Sequence, residues 1–545
     1  MRVAICYPPL PSEKGVPLLS QNRQFQWFSR PTYIFPVVPA TAATMLKNAG
    51  HDVLWLDGIA EELSPGECEK RLAEFCPDYV VVETKTPVVK RHWRWIERQR
   101  QTAAARSDGT LPRYVLVGDH VTAMPDESME KCPVDFILTG GDWDFLLMNL
   151  VESGGDASMY DPGIWYRAEG GIVRNTGRFQ LNHDLNKAPW IDRDLCKWRL
   201  YAEKNGNFRR TPGTYIMSGR DCWHAKCTFC SWTTLYPTYR TRDPRDVVDE
   251  IEHLVRDFGV KEIMDDSGSF PVGGFLKTFC DEMVRRGLNR KVRIDCNMRF
   301  GRLAADDYRM MRKAGFRLVL FGVESANQYT LDRFVKALKV SDVEEGARWA
   351  SEAGLDVHLT FMFGHAWEGR AEIANTVALA RKMLAKGWAS TLQCTLTIPY
   401  PGTPLFRELK ESGGLTTLDW DEYDMRRAIT RTPHASLLTL MTAAAGLAVA
   451  AAVAATLAER FLGGTSGGRQ IIQFHICSSL FLFSDLQQIA DLGDLAARLV
   501  VVGLHARIAD LAQTHGIGSS NVLFVSAVQA LDELNFQISH AALPP

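Results

Sequence analysis

Three residues able to do chemistry together crowd into one loop. Cys222, Cys227 and Cys230 fall in a C-x4-C-x2-C pattern, while the other nine of the twelve cysteines are scattered singly. Thiolates in such a loop hold iron or zinc. A four-iron cluster offers four irons, so three thiolates leave one iron open to a small-molecule ligand. His224 lies inside the same loop, so a tetrahedral zinc site of three thiolates and one imidazole is a second reading. Structural zinc, however, usually draws its ligands from two separated knuckles. Unliganded thiols are the third reading. The nine scattered cysteines read as buried reduced thiols, and twelve in 545 residues are too few for a disulfide scaffold.

The elements that must position this loop follow from the apolar pattern. Short apolar runs at 215–218, 262–265, 292–295, 318–323, 357–363 and 392–398 alternate with helical patterns at 244–257, 274–286, 304–314, 340–353 and 371–386. Strands alternating with helices predict a partial (β/α)6 barrel over 211–425, with its active site at the C-terminal mouth of the strands. The cysteine loop directly follows the first of these runs. Upstream, runs at 3–7, 53–56, 79–83, 114–118 and 136–139 alternate with helical patterns at 39–49, 65–75, 90–103 and 126–131. They predict a Rossmann-like, doubly wound α/β domain over 1–150, which binds ligands at the carboxyl ends of its strands. Those ends carry Pro8-Pro9, Glu83-Thr84-Lys85-Thr86-Pro87, Gly118-Asp119-His120-Val121-Thr122 and Gly140-Gly141. Small residues there let a large flat ligand approach the backbone.

Composition sets the outer limits. A chain of 545 residues suggests about three or four domains. Its 46% hydrophobic and 23% charged residues exclude bulk disorder. Its formal charge of −2 gives no global attraction to nucleic acid. The basic and aromatic stretch from Lys90 to Arg98 reads as a crossover helix with snorkelling side chains and not as a nucleic-acid surface. Residues 151–210 are polar, Gly-rich and Trp-containing, and read as a linker or cap. The start of the chain lacks the pattern of a signal peptide. With its unpaired thiols it is expected to be cytoplasmic. Residues 435–458 contain no charge and eleven alanines. They belong to an Ala-rich apolar helix over 434–462, long enough to span a bilayer, so a membrane span and a buried or partner-facing helix both stay open. A Gly-rich linker and a small α/β tail over 469–545 follow.

Residues 1–425 resemble the cobalamin-binding-domain radical S-adenosylmethionine (SAM) enzymes. The resemblance rests on the strand-terminal cysteine loop with Phe229 before its last cysteine, Tyr239-Arg240-Thr241-Arg242, Asp265-Asp266, Gly322-Val323-Glu324-Ser325 and Pro399-Tyr400-Pro401-Gly402-Thr403-Pro404. Gly118-Asp119-His120-Val121-Thr122-Ala123-Met124-Pro125 is similar to the family's GGxHVTxxP segment. The chain departs from the family in the extra residue of its first cysteine gap and in Gly364-His365-Ala366-Trp367-Glu368-Gly369, where the family has Gly-x-Pro-Gly-Glu-Thr. The family's helical C-terminal extension is not recognisable after Pro433. The tail weakly resembles a STAS-type module, with Ile476-Cys477-Ser478-Ser479 where that family has Asp-Ser-Ser.

The resemblance implies that Cys222, Cys227 and Cys230 hold a 4Fe-4S cluster and that SAM chelates its open iron. Phe229 would pack near the adenine, and Asp266 and Ser267 would accept from the SAM ammonium. Glu324 and Ser325 would bind the ribose or methionyl part. Arg299 stands with them, in the SAM site or as an ion-pair partner that would make Glu324 structural. Cobalamin would lie across Pro9, Thr84, Thr86, Gly118, His120, Val121, Thr122 and Gly140 without a protein imidazole on cobalt, His120 being a backbone-positioning or edge residue. The expected activity is methyl transfer to an unactivated carbon of a small molecule or lipid-like substrate. Cyclisation or rearrangement within the same family is the alternative, and a non-catalytic cofactor-binding sensor using the tail for interactions is the reading from another class. The resemblance also implies an electron donor such as flavodoxin or ferredoxin.

Overall fold

The computed structural model describes residues 1–19, 25–102 and 111–433. The Ala-rich segment with its membrane-span reading, the Gly-rich linker and the expected tail module lie outside the described residues.

Seven strands build the first sheet: β1 (Arg2–Tyr7), β2 (Asp52–Asp57), β3 (Tyr79–Glu83), β4 (Arg113–Val117), β5 (Phe136–Leu138), β6 (Ile164–Arg167) and β7 (Val173–Asn175). Their order is β2-β1-β3-β4-β5-β6-β7. The first five are parallel. Continuous apolar runs such as Tyr79-Val80-Val81-Val82 are buried throughout, as a sheet covered on both faces requires. The order reverses direction between β1 and β3, which makes their carboxyl ends a topological switch point.

The linker expected over 151–210 is different in structure. Ile164–Arg167 and Val173–Asn175 pair antiparallel and extend this sheet from β5. Gly170 and Gly171, both at positive φ, form the turn between them. The hairpin is short and β7 is exposed along its length, so its alternation is too weak to stand out in the sequence. The rest of the segment ties the two sheets together. Buried Arg193 donates to Thr214 at 2.9 Å and pairs with Glu250, while Lys47 pairs with Asp192.

The second sheet contains β8 (Gly213–Ile216), β9 (Glu262–Asp265), β10 (Arg293–Met298), β11 (Phe316–Glu324), β12 (Asp356–Phe363) and β13 (Thr391–Leu396), parallel and in chain order. The helix Pro244–Phe258 shows why the crossovers form. Asp243 caps it by accepting from the Arg245 N–H, and proline at its start needs no donor. Val247, Val248, Ile251 and Leu254 recur at helical spacing and are buried against the sheet, and Gly259 at φ 68° ends the helix. Each such side chain contributes about 1.5–3 kcal/mol by burial.

After β13 the chain returns to the first domain. Ile398, Tyr400, Phe406, Trp420, Tyr423 and Ile429 share a core with Val80, Val82, Leu116 and Ile137. Lys90 pairs with Asp419 at 2.7 Å and Lys14 with Asp424 at 2.6 Å. No helix among the described residues is long and apolar enough to cross a membrane.

Candidate functional site

The cysteine loop leaves the carboxyl end of β8. Gly219–Arg220 pairs antiparallel with Arg240–Thr241, which pinches the loop at its base. The Asp221 carboxylate accepts from the Gly268 N–H, fastening the loop to the end of β9. On its far side, three successive carbonyls hold it down, and a fourth holds the neighbouring Arg299. Arg333 O accepts from the Thr228 hydroxyl at 3.4 Å and Phe334 O from the Thr228 N–H at 3.0 Å. Val335 O accepts from His224 Nε2 at 2.6 Å, and Lys336 O accepts from the Arg299 guanidinium.

Cys227 is buried, and Cys222 and Cys230 are half-buried. Arg299 Nη1 stands 3.7 Å from Cys227 Sγ. Burial pushes the Cys227 thiol up, against the opposing pull of Lys336 and Arg299. Burial also pushes the Cys230 thiol up to about 12. A metal must displace these protons to bind. Tetrahedral zinc would draw donors to about 2.0–2.3 Å of one ion. Among the described residues no three His, Cys, Asp or Glu side chains converge in that way, and His224 is turned to Val335. A donor set of three thiols, spread along one loop and flanked by two cations, fits an anionic cluster whose irons occupy separate corners.

The residues expected around SAM gather at the same mouth. Phe229 packs on Phe334 with ring centroids 4.6 Å apart. Asp266 directly follows β9 and donates its N–H to Ile216 O at 2.8 Å. The Ser267 hydroxyl is fully buried and accepts from the Gly219 N–H at 2.9 Å, so it anchors the start of the cysteine loop. Glu324, at φ 70°, pairs with Lys336 at 2.5 Å. The ion-pair partner is thus Lys336 and not Arg299, because the Arg299 guanidinium is drawn to Cys227 and Lys336 O. Ser325 donates to Glu368 at 2.7 Å, and Thr330 donates to the same oxygen at 2.6 Å. Glu368, from the segment that departs from the family pattern, therefore braces the loop after β11. His365 beside it is fully buried, and its Nδ1 lies 2.8 Å from the Thr397 hydroxyl.

The four small-residue loops end β1, β3, β4 and β5. Pro9 lies against Gly58, where a Cβ would meet its ring at 2.7 Å. Thr84, Thr86, His120 and Val121 turn their side chains inward and are buried. Thr84 bonds His92 at 2.7 Å and Thr86 bonds His120 at 3.2 Å. His120 is therefore no edge residue: Trp420 crosses its ring edge-on at 5.2 Å, and aromatic packing has drawn it into the core. Gly118 holds φ 118°, and a Cβ there would strike Thr84 O at 2.2 Å, so β3 and β4 approach as closely as glycine allows. The Thr122 hydroxyl accepts from the Gly140 N–H at 3.0 Å, joining the loops after β4 and β5. These loops can offer a flat ligand mainly backbone, which suits a large macrocycle better than a ligand needing many side-chain contacts.

The Gly140-Gly141-Asp142 loop meets the barrel directly. The Gly141 N–H donates to Leu235 O at 3.0 Å and the Tyr236 hydroxyl donates to Gly141 O at 2.7 Å. Asp142 accepts from Nη1 and Nη2 of Arg240 at 2.6 and 2.7 Å, from Arg220 at 3.1 Å, and lies 3.1 Å from His183 Nδ1. Arg220 also pairs with Asp144. Burial raises the Asp142 carboxyl, but His183, Arg240 and Arg220 outweigh it and hold the group well below the usual carboxylate range. The loop after β5 is thus clamped to both strands at the base of the cysteine loop. Sequence reasoning missed this clamp, along with Lys336 and Glu368. An acidic pair directly after Gly140-Gly141 was its one visible signal.

Residues 216–380 match the Radical SAM superfamily. The anaerobic magnesium-protoporphyrin IX monomethyl ester cyclase of Cereibacter sphaeroides is 28% identical over 393 residues, 70% of this chain and 60% of the cyclase. The chain thus spans less than two thirds of that relative's length. The radical SAM methyltransferase TsrM of Kitasatospora setae, solved with cobalamin and a [4Fe-4S] cluster, superposes with a TM-score of 0.57 at 17% identity, covering 76% of this chain and 79% of TsrM. The cobalamin-dependent radical enzyme OxsB, solved with aqua-cobalamin and SAM, gives a TM-score of 0.63 at 13% identity, covering 99% of this chain and 80% of OxsB. Residues 216–380 thus carry a radical SAM domain, and the chain has the fold of the cobalamin-dependent radical SAM enzymes.

Proposed function

We propose that this radical SAM enzyme uses a 4Fe-4S cluster, SAM and cobalamin to transfer a methyl group to an unactivated carbon of a small-molecule substrate. The observation that carries the reading is the clamp of the loop after β5 onto the base of the three-cysteine loop. It brings the carboxyl edge of the first sheet against the mouth of the barrel. When bound, these groups supply one-electron cleavage of SAM to methionine and a 5′-deoxyadenosyl radical, and a methyl group for the substrate.

The chain's own residues would bind, orient and shield. Cys222, Cys227 and Cys230 would hold the cluster, with Arg299 and Lys336 offsetting its negative charge. Asp266 and Glu324, at the ends of β9 and β11, would face the polar end of SAM, and Phe229 would border its adenine. Pro9, Gly118, Thr122 and Gly140 would let the corrin approach the backbone, with Thr84, Thr86, His120 and Val121 packed beneath. The mouth is built largely from buried side chains, which limits water around a reactive radical.

Cyclisation is the second reading, favoured by the 28% identity to the monomethyl ester cyclase. The SAM products separate the two. After anaerobic reconstitution with iron, sulfide, cobalamin and SAM, and with substrate present, methyl transfer gives S-adenosylhomocysteine together with 5′-deoxyadenosine. Cyclisation gives 5′-deoxyadenosine without S-adenosylhomocysteine.

A further inference from the structure

We infer that Arg299 sets the reduction potential of the cluster, acting through Cys227 and not through SAM. The inference rests on the cluster reading above. Arg299 directly follows β10 and is only 9% exposed. Its Nη1 stands 3.7 Å from Cys227 Sγ, and its Nη2 donates to Lys336 O. The guanidinium carbon lies over the Trp223 ring at 5.2 Å, and Trp223 itself belongs to the first gap of the cysteine loop. The Nε finds no partner among the described residues. A carbonyl and an aromatic ring thus hold this side chain beside one sulfur. Both anchors touch the guanidinium plane, which a differently shaped cation could not reproduce.

The charge on Arg299 has no counterpart. No carboxylate among the described residues pairs with its guanidinium. Burying an unpaired cation is costly unless an anion faces it. The nearby Glu324 carboxylate is taken by Lys336 at 2.5 Å, so that pair brings little net charge to Cys227. Lys226 is exposed, and water and salt screen it. A cluster on three thiolates becomes more negative when it takes up one electron, with no bond made or broken. A buried cation beside a ligating sulfur stabilises that reduced state more than the oxidised one. Its N–H directed at the sulfur acts in the same direction. Arg299 therefore makes the cluster easier to reduce.

The test is a redox titration of the reconstituted full chain without SAM, followed by the EPR signal of the reduced cluster. Native protein is compared with Arg299→Met, Arg299→Lys and Arg302→Gln. Arg302 also lies over the Trp223 ring, at 5.4 Å, but it is exposed and serves as the control. Arg299→Met should lower the midpoint by about 59 mV or more, which is about tenfold in the one-electron equilibrium. Arg299→Lys keeps the charge but loses the fork that reaches Cys227 and Lys336 O together, so its midpoint should fall between the two. Arg302→Gln should match the native protein. Binding of radiolabelled SAM to the oxidised proteins, measured by anaerobic equilibrium dialysis, should stay at the native level in all of them. A midpoint that moves no further in the Arg299 variants than in Arg302→Gln would overturn the inference. A native midpoint with weakened SAM binding would do so too, since Arg299 would then be a SAM ligand. Loss of the cluster from both Arg299 variants would replace tuning by a role in assembly. If the native protein itself takes up no iron and gives no reduced-cluster signal, the cluster reading fails and this inference falls with it.

Discussion

The Asp142→Asn substitution keeps the shape of the side chain and removes its charge. In the native protein this carboxylate receives a two-pronged contact from Arg240, a third bond from Arg220 and a contact from His183. Arg220 would keep Asp144, but Arg240 would lose its carboxylate, and the new amide would set an N–H against a guanidinium N–H. Breaking a fully buried ion pair costs about 3–5 kcal/mol. The Arg240 side chain keeps 17% exposure. Partial solvation reduces the expected cost to about 2–4 kcal/mol, or roughly 30- to 1000-fold in the opening equilibrium of the interface. Amide hydrogen exchange reads this directly. Segments 136–146 and 218–241 should exchange faster by about that factor, while β11 and β12 keep their protection. The pH dependence follows from the sign of the shift. A folded-state value below the unfolded one stabilises at pH above about 4, and that contribution is lost as pH falls through the folded value. The native interface should therefore loosen in acid below about pH 4, and the variant should lack that step. Protection unchanged at neutral pH, or lost equally across the whole barrel, would refute the reasoning.

Further outcomes follow from other contacts. Burial raises the Glu83 carboxyl to about 7, against the pull of Lys85 and Tyr7, so the folded state binds an extra proton and stability should fall as pH rises from about 4 to about 7. Glu83→Gln should flatten that slope, worth about 3 kcal/mol, in urea unfolding of the first domain. Gly141→Ala would place a Cβ 1.9 Å from the Tyr236 ring and should expose the domain interface to limited proteolysis. Gly66→Ala, with nothing within 4 Å, should be neutral or stabilise the helix Pro65–Phe75 by about 0.5–1 kcal/mol. Glu368→Ala removes the acceptor shared by Ser325 and Thr330 and should cost about 1–3 kcal/mol in unfolding experiments. It should raise the KM for SAM while leaving bound iron unchanged.

The parallel strands were legible because each is a short apolar run bounded by turn residues. Tyr79–Glu83 and Glu262–Asp265 carry in the structure the bounds their sequence suggests. The β6–β7 hairpin was not, since an exposed three-residue edge strand leaves almost no periodic trace. At the site, residue type and spacing pointed to the cysteine loop and to the loops at the strand ends. Which partner each side chain takes was illegible, because it depends on contacts across long sequence separation. Arg299 turns to Cys227 and leaves Glu324 to Lys336. His120 reads as a loop residue until Trp420, three hundred positions later, covers it. Asp142 looks like an ordinary loop carboxylate until Arg220 and Arg240 converge on it from the other domain.

The most direct test of the central claim is the yield of 5′-deoxyadenosine from SAM. It would be measured with anaerobically reconstituted, reduced protein, comparing the native chain with Cys227→Ala. The native chain is expected to carry iron and sulfide and to form 5′-deoxyadenosine, and the variant to lose both the cluster and the product. Native protein that binds stoichiometric zinc without iron, or a variant that cleaves SAM as well as the native chain, would contradict a cluster held by Cys222, Cys227 and Cys230.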